Sequence, residues 1–509
     1  MKALLLHPDR DYDPRQALPW QAPALIQDLQ LETLFRAMAG EDEFLLGVAR
    51  HTVLSGLNND METIRYRLGV LQDCLSHPTV VRQLYDCALE AITREKAEYY
   101  GSLARNPSLV LYSAIKVIEI FIPLLRRLRD LAEATDKRCA SRGLQTLFAM
   151  LKDELGEPYL AEIQGHLDKL KFRRGVLLSA ELGKGNRSTH YRLCKPAGGT
   201  TNWLARLFEP SPRGYRFRLQ ERDERGGQLL SDMKDRGIDL VANALAQARD
   251  HILSFFVTLR TELAFYLCGI NLHDRLTALG VPVCIPLPEP AGQRLQRFSG
   301  LYDPCLALTM GRTVVGNSAD ADGRRLVIVT GANQGGKSSF LRSLGVAHLM
   351  MQAGLFVSAR RFEAELCMGL FTHYRREEDQ AMKSGRLDEE LSRLSDIADH
   401  IGANALLLLN ESFSATNERE GSEIARQVVS ALIERGVKIV FVTHQYEFAR
   451  GCFEGGMEGV LFLRAQREAD GTRTFKLVQG EPLPSSFGGD LYRQVFGAEA
   501  APAALGESE

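Results

Sequence analysis

Gly331, Gly336, Lys337 and Ser338 stand in the spacing G-x-x-x-x-G-K-[ST], inside the run LVIVTGANQGGKSS from Leu326 to Ser339. That spacing holds phosphate. Its glycines let successive backbone N–H groups curl around phosphate oxygens with no side chain in the way. Lys337 brings an ammonium to the β- and γ-phosphates, and the Ser338 hydroxyl is a magnesium ligand. Ala332, Asn333, Gln334, Gly335 and Ser339 complete the turn around the nucleotide. A loop of this kind needs a strand before it and a helix after it. Leu326–Val329 is apolar and β-branched, as a buried strand should be, and a helix opening after Gly336 turns its positive N-terminus on the same anion.

Two further apolar runs end in chemistry. Leu406–Leu409 leads into Asn410-Glu411. In hydrolases with this loop, such a strand delivers an acid to the magnesium shell and a Glu that polarises the attacking water. Glu411 suits the second role. Position 410, usually Asp, is Asn here; its amide oxygen can accept from magnesium-bound water, but the charge is gone. Lys438–Val442 leads into Thr443-His444. A neutral His444 can donate to the γ-phosphate or hold the water, although a lone histidine at a strand end is more often a packing residue.

Bulk properties bound the rest. A chain of 509 residues should form two to four domains, and a net charge of −2 makes any nucleic-acid contact local. Nine scattered cysteines with no Cys-x-x-Cys pair suit a reducing cytosol and leave no zinc or disulfide framework. The start, MKALLLHPDRDYDPRQ, is too short in apolar residues for a signal peptide, and no stretch reads as a membrane span. The expected location is the cytoplasm.

Helical periodicity runs from about 22 to 168, after an N-terminal segment 1–21. One helix follows Asn58, Asn59 and Asp60; another covers about 108–134 with a kink expected at Pro123. Such long helices suit levers or an ordinary bundle. Residues 169–231 change character, with short strands expected at Gly175–Leu182, His190–Cys194 and Tyr215–Leu219. This insert is basic, and Arg173, Arg174, Lys184, Arg187 and Arg192 are either a solvated face or a phosphate-backbone contact. Helix resumes over 232–281, prolines 282, 286, 288 and 290 mark a linker into an ATPase domain at 282–497, and the tail 498–509 reads as disordered.

Order and spacing together resemble the MutS family of DNA mismatch-repair ATPases. Thr330–Ala359, TGANQGGKSSFLRSLGVAHLMMQAGLFVSA, is similar to the family's TGPN-x-GGKS-T loop and its later MAQ-x-G-x-FVPA segment. LLLLNESFSATNEREG resembles the DE-x-G-x-GT loop, Thr443-His444 the family's TH, and Ser486-Phe487-Gly488 its late S-Y-G. Val314–Asn317, VVGN, is similar to the segment that packs on the adenine. The resemblance therefore places Asn317 and Gln352 among the ATP-binding residues, and makes Glu411, His444 and Lys337 the catalytic set, with Ser338 and Asn410 (through water) on Mg2+.

The implied fold is multidomain: an α-helical core and lever domain with a small β-containing, clamp-like insert, then an α/β P-loop domain of the ABC-ATPase type. The implied function is ATP binding and hydrolysis at a homodimer interface, coupled through levers to a clamp on DNA. Three departures qualify it. Helical core begins almost at once, leaving no room for the mismatch-reading and connector domains, so classical mismatch recognition is not expected. The Ser-Thr-Phe motif that reaches the partner's ATP is replaced near Ser384-Gly385-Arg386. Asn410 is the third, and the C-terminal tail carries no nuclease motif. The alternative is a nucleotide-gated assembly ATPase with weak hydrolysis and no DNA role; a transporter or condensing ATPase would need an LSGG-type signature, which is missing.

Overall fold

The computed structural model describes residues 1–98, 106–173, 175–186, 188–194, 218–220, 223–376, 385–468 and 472–483. They form two compact units that do not follow chain order. One unit joins Met1–Ala3, Arg82–Cys139 and Gln145–Arg260; the other joins Leu4–Val81, Ala140–Leu144 and Thr261–Glu509. The units do not follow the boundary expected at 282, since the helices up to Val81 belong to the same unit as the six-stranded sheet. The expected linker also belongs to a sheet, because Leu287–Glu289 pairs with Arg361–Glu365.

In the first unit, Pro107–Thr135 is a 29-residue helix that continues through Pro123, capped where Asn106 Oδ1 accepts from Ser108 N at 2.8 Å. Its stripe of Leu111, Ile115, Ile118 and Ile122 packs on Ile238 and Ala242 of the helix Glu224–Ala278. Leu178–Leu182 and Ser188–Leu193 pair antiparallel as a hairpin. Of the third expected strand, 215–217 fall outside the described residues. Pro107–Arg138 and Glu224–Ala278 are long and apolar enough to cross a membrane by length and composition. Half or more of each apolar window is buried inside the protein, as core helices require.

The second unit is built on a six-stranded sheet in the order Arg473–Gln479, Val460–Arg467, Leu326–Thr330, Lys438–Val442, Leu406–Asn410, Leu370–Tyr374. All neighbours are parallel except the outer pair Val460–Arg467 and Arg473–Gln479. The central strands are buried on both faces, which is why their sequences are unbroken apolar runs. On one face, Leu394 and Ile397 of Arg386–His400 and Ala425 and Val429 of Glu418–Glu434 complete the core. On the other lies Lys337–Ala353, brought close by Gly345, where an added Cβ would sit 2.8 Å from side-chain carbons of both Leu408 and Leu29.

Register sets the site. Tyr374 and Val442 both align with Asn410, and Val442 also aligns with Val329. Arg375, Glu411, Thr443 and the turn after Thr330 consequently leave the sheet together at its carboxyl edge, where open α/β sheets bind ligands.

Candidate nucleotide site

Gly331 and Gly336 adopt φ of 112° and 89°, values a side chain resists, and a Cβ on Gly331 would lie 2.9 Å from Ala465 N. Gly336 then caps the helix Lys337–Ala353. Lys337 is 4% exposed and its Nζ donates to the carbonyls of Gly331 at 2.8 Å and Ala332 at 2.9 Å. Burial brings its pKa down to about 8, against the pull of Glu411. A cation folded onto carbonyls, beside a turn of open N–H groups, is a loop ready for an anion.

Ser338 Oγ donates to Asn410 Oδ1 at 3.1 Å, so the two residues expected near magnesium do meet. Next to them, His444 Nε2 lies 2.7 Å from Glu411 Oε1. This hydrogen bond holds the Glu411 carboxyl below its ordinary range, although burial opposes the shift. Glu411 has φ 55° and Phe413 φ 65°; such left-handed residues without glycine cost on the order of 1 kcal/mol each and gather at functional sites. The Glu411 amide donates to Val442 O at 2.8 Å, tying the strained turn to the neighbouring strand.

A cavity of about 680 Å³ opens beside the loop. Asn333, Gln334, Gly335, Gly336, Lys337, Ser338, Ser339 and Glu411 line its polar end; Leu306, Met310, Val314, Val315 and Phe475 line its apolar end. Its size suits a nucleotide-sized ligand, with apolar walls for a base and convergent donors for phosphates. Asn317 borders it differently from expectation. Its Oδ1 accepts from Leu477 N at 2.7 Å and its Nδ2 donates to Phe475 O at 3.3 Å, so its amide fixes the rim strand. Gly331 and Ala332 shape the loop without lining the cavity.

Gln352 is a correction. It lies fifteen residues along the helix from Lys337, about 22 Å at 1.5 Å per residue. It is buried, its Oε1 accepting from Cys367 N at 3.0 Å and its Nε2 donating to Cys367 O at 3.1 Å and Leu57 O at 3.3 Å. Its polar atoms are committed to packing. Of the basic insert, Arg173, Lys184 and Arg192 are exposed, whereas Arg174 and Arg187 fall outside the described residues, as do Ser384 and Ser486-Phe487-Gly488.

Three participants escaped the sequence reading. Phe475, half exposed with φ 58°, forms the cavity's aromatic rim. Arg473 Nη1 donates to Gln334 Oε1 at 2.6 Å and steadies the loop's outer turn. Arg375 Nη1 lies 4.0 Å from Glu411 Oε2. The first two sit on an antiparallel edge strand with no motif spacing; Arg375 follows a strand whose Thr372 and His373 interrupt the apolar signal.

A parallel sheet with a phosphate loop at its carboxyl edge and a Glu–His pair on adjoining strand ends defines a P-loop nucleotide-hydrolase fold. The comparisons with known proteins narrow this. The family model "MutS domain V" matches residues 327–489 and "MutS2 N-terminal domain" matches 59–279. The chain belongs to the MutS family. DNA mismatch repair protein MutS of Chloroflexus aurantiacus is 28% identical over 224 residues, 43% of this chain and 23% of that protein. Endonuclease MutS2 of Thermus thermophilus is 31% identical over 31% of this chain and 21% of its own length. DNA mismatch repair protein MutS of Thermus aquaticus is 25% identical over 96% of this chain and 62% of its own. The chain thus spans less than two thirds of each of these relatives.

Proposed function

We propose that this chain binds and hydrolyses ATP as a cytoplasmic homodimer and couples that cycle to DNA, without the classical reading of mismatches. The observation that supports it most is the cavity that runs from apolar walls to the phosphate loop and ends on the Glu411–His444 pair. In this reading Lys337 leaves the Gly331 and Ala332 carbonyls for the β- and γ-phosphates, and loop N–H groups take the remaining oxygens. Ser338 and Asn410, already 3.1 Å apart, would hold Mg2+, Asn410 through water. Bound Mg2+ supplies charge neutralisation at the phosphates. Glu411, kept ionised by His444, accepts a hydrogen bond from the attacking water and orients it. A carboxylate held that firmly in its charged form is a weak proton acceptor, and Asn410 adds no negative charge to bind the metal; both favour slow turnover.

The DNA reading draws on the relatives named for DNA mismatch repair and on exposed Arg173, Lys184 and Arg192. The experiment is an ATPase assay with plain, mismatched and branched duplex, alongside DNA binding across salt. Turnover should respond to DNA, with no preference for the mismatch. Affinity should fall steeply between roughly 50 and 200 mM salt if several phosphates are contacted. Intact ATP binding with no turnover and no DNA affinity would instead favour the nucleotide-gated assembly protein that Asn410 suggests.

A further inference from the structure

Beyond Glu411, on the side away from the phosphate loop, lies a second polar cleft. Arg375, Arg376, Arg386, Arg393, Glu389 and Glu390 line it, with Ser414 and Ala415 from the loop that carries Glu411. Four guanidinium groups stand against Glu389, Glu390 and the buried Asp28, whose carboxylate acts on Arg376 and Arg393, so among the described residues the balance is positive by one charge. Arg375 is fixed at one end, its N–H donating to Asn410 O at 3.0 Å, and Arg393 at the other, its Nη2 donating to Tyr374 O at 3.1 Å. Arg376 Nε, Arg393 Nε and Ser414 Oγ are buried without a hydrogen-bond partner. Glu389 Oε2 and both Glu390 carboxyl oxygens are unpartnered as well, so the cleft favours a guest that brings acceptors to the guanidinium groups and a proton to a carboxylate.

We propose that this cleft binds inorganic phosphate, the oxyanion that ATP hydrolysis would release beside Glu411. Guanidinium forks match a tetrahedral oxyanion through paired N–H···O bonds. The two carboxylates select among such anions. At neutral pH phosphate still carries a proton, which Glu389 can accept as a hydrogen bond, and Glu389 Oε2 is itself buried without a partner. Sulfate has no proton to offer and meets the same carboxylates as repulsion. The cleft has room for about one water, some 20 Å³, so phosphate enters by moving the exposed heads of Arg375 and Arg386. Arg375 is also the residue 4.0 Å from Glu411 Oε2. A seated phosphate therefore draws this arginine from Glu411 and leaves His444 as its main partner. Binding stands independently of the ATPase reading; only its effect on Glu411 rests on it.

Calorimetric titration of the Lys337→Ala protein decides the matter, because that variant lacks the cation of the phosphate loop. Inorganic phosphate should bind saturably, about tenfold more tightly than sulfate. Arg376→Gln combined with Arg386→Gln in that background should weaken phosphate by about tenfold or more, and Arg386→Gln alone, at an exposed position, should weaken it with the circular dichroism spectrum unchanged. Glu389→Gln should narrow the gap between phosphate and sulfate. Absence of saturable phosphate binding, equal binding by the arginine variants, or equal affinity for both anions would overturn the proposal. Absence of ATP turnover in the unsubstituted protein, with phosphate binding intact, would count against the ATPase reading and leave the cleft standing.

Discussion

The two ends of the helix Lys337–Ala353 are built on opposite principles. At its start, polar groups wait for a ligand: Lys337 rests on loop carbonyls, and the glycines aim backbone donors at an open cavity. At its finish, polar groups are closed on one another. Gln352 is held by Cys367 and Leu57, Asn59 Nδ2 donates to Gln352 O at 2.9 Å, and the buried Arg67 donates to Ala353 O at 3.3 Å and Leu6 O at 2.8 Å. Both ends carry residues of the family-like segment Thr330–Ala359. Only the disposition of their hydrogen bonds separates binding from scaffolding.

That contrast can be broken in order of expected effect. Glu411→Gln should lower the ATP turnover rate by about 100-fold or more while nucleotide still binds, read by steady-state ATPase and equilibrium binding. An unchanged rate would move the water-orienting role to another residue. Lys337→Ala should weaken ATP by about 100-fold with little loss of thermal stability, since it removes the cation and leaves the core intact. Gln352→Ala should do the reverse. Leaving the Cys367 and Leu57 groups unsatisfied costs about 2–3 kcal/mol in denaturant unfolding, with the ATP dissociation constant of the folded protein unchanged.

The smallest effect is in pH. Lys337 has its folded pKa brought down to about 8, so the unfolded chain holds more protons between that value and the ordinary lysine range. This residue's contribution to stability therefore rises with pH through that window, while ATP affinity falls as the ammonium is lost. A several-fold drop in ATP affinity from about pH 7 to 9, flattened in Lys337→Arg, is the expected result. The same drop in Lys337→Arg would assign it to another group.

The site's strands were legible because a parallel sheet buried on both faces needs unbroken apolar runs, and Leu326–Val329, Leu406–Leu409 and Lys438–Val442 supply them. Glycine and lysine spacing disclosed the loop for an equally local reason. Gln352 misled because a segment's resemblance carries no record of where its side chains end. Phe475 and Arg375 were hidden since their roles depend on which strands become neighbours. The division into units was hidden for a related reason. Ala3, Leu5 and Leu6 looked only like a short apolar start, whereas they are fully buried. The amides of Leu5 and Tyr12 donate to the buried carboxyl of Glu262, more than 240 residues away, at 2.6 and 2.9 Å. No local pattern encodes a partner at that separation.

Arg67 has one further consequence. Its guanidinium, 1% exposed, donates to the carbonyl of Ala353, the last residue of the helix whose opposite end faces the phosphate loop. An α-helix carries roughly half a positive charge at its first turn and half a negative charge at its last. The protein has thus installed a counter-ion at the negative pole, while the positive pole opens on the cavity with the Glu411 carboxylate at its edge. Lys337–Ala353 is a dipole closed at one pole and open at the other, and the open pole faces a cavity where an anion from outside the chain has room to complete it.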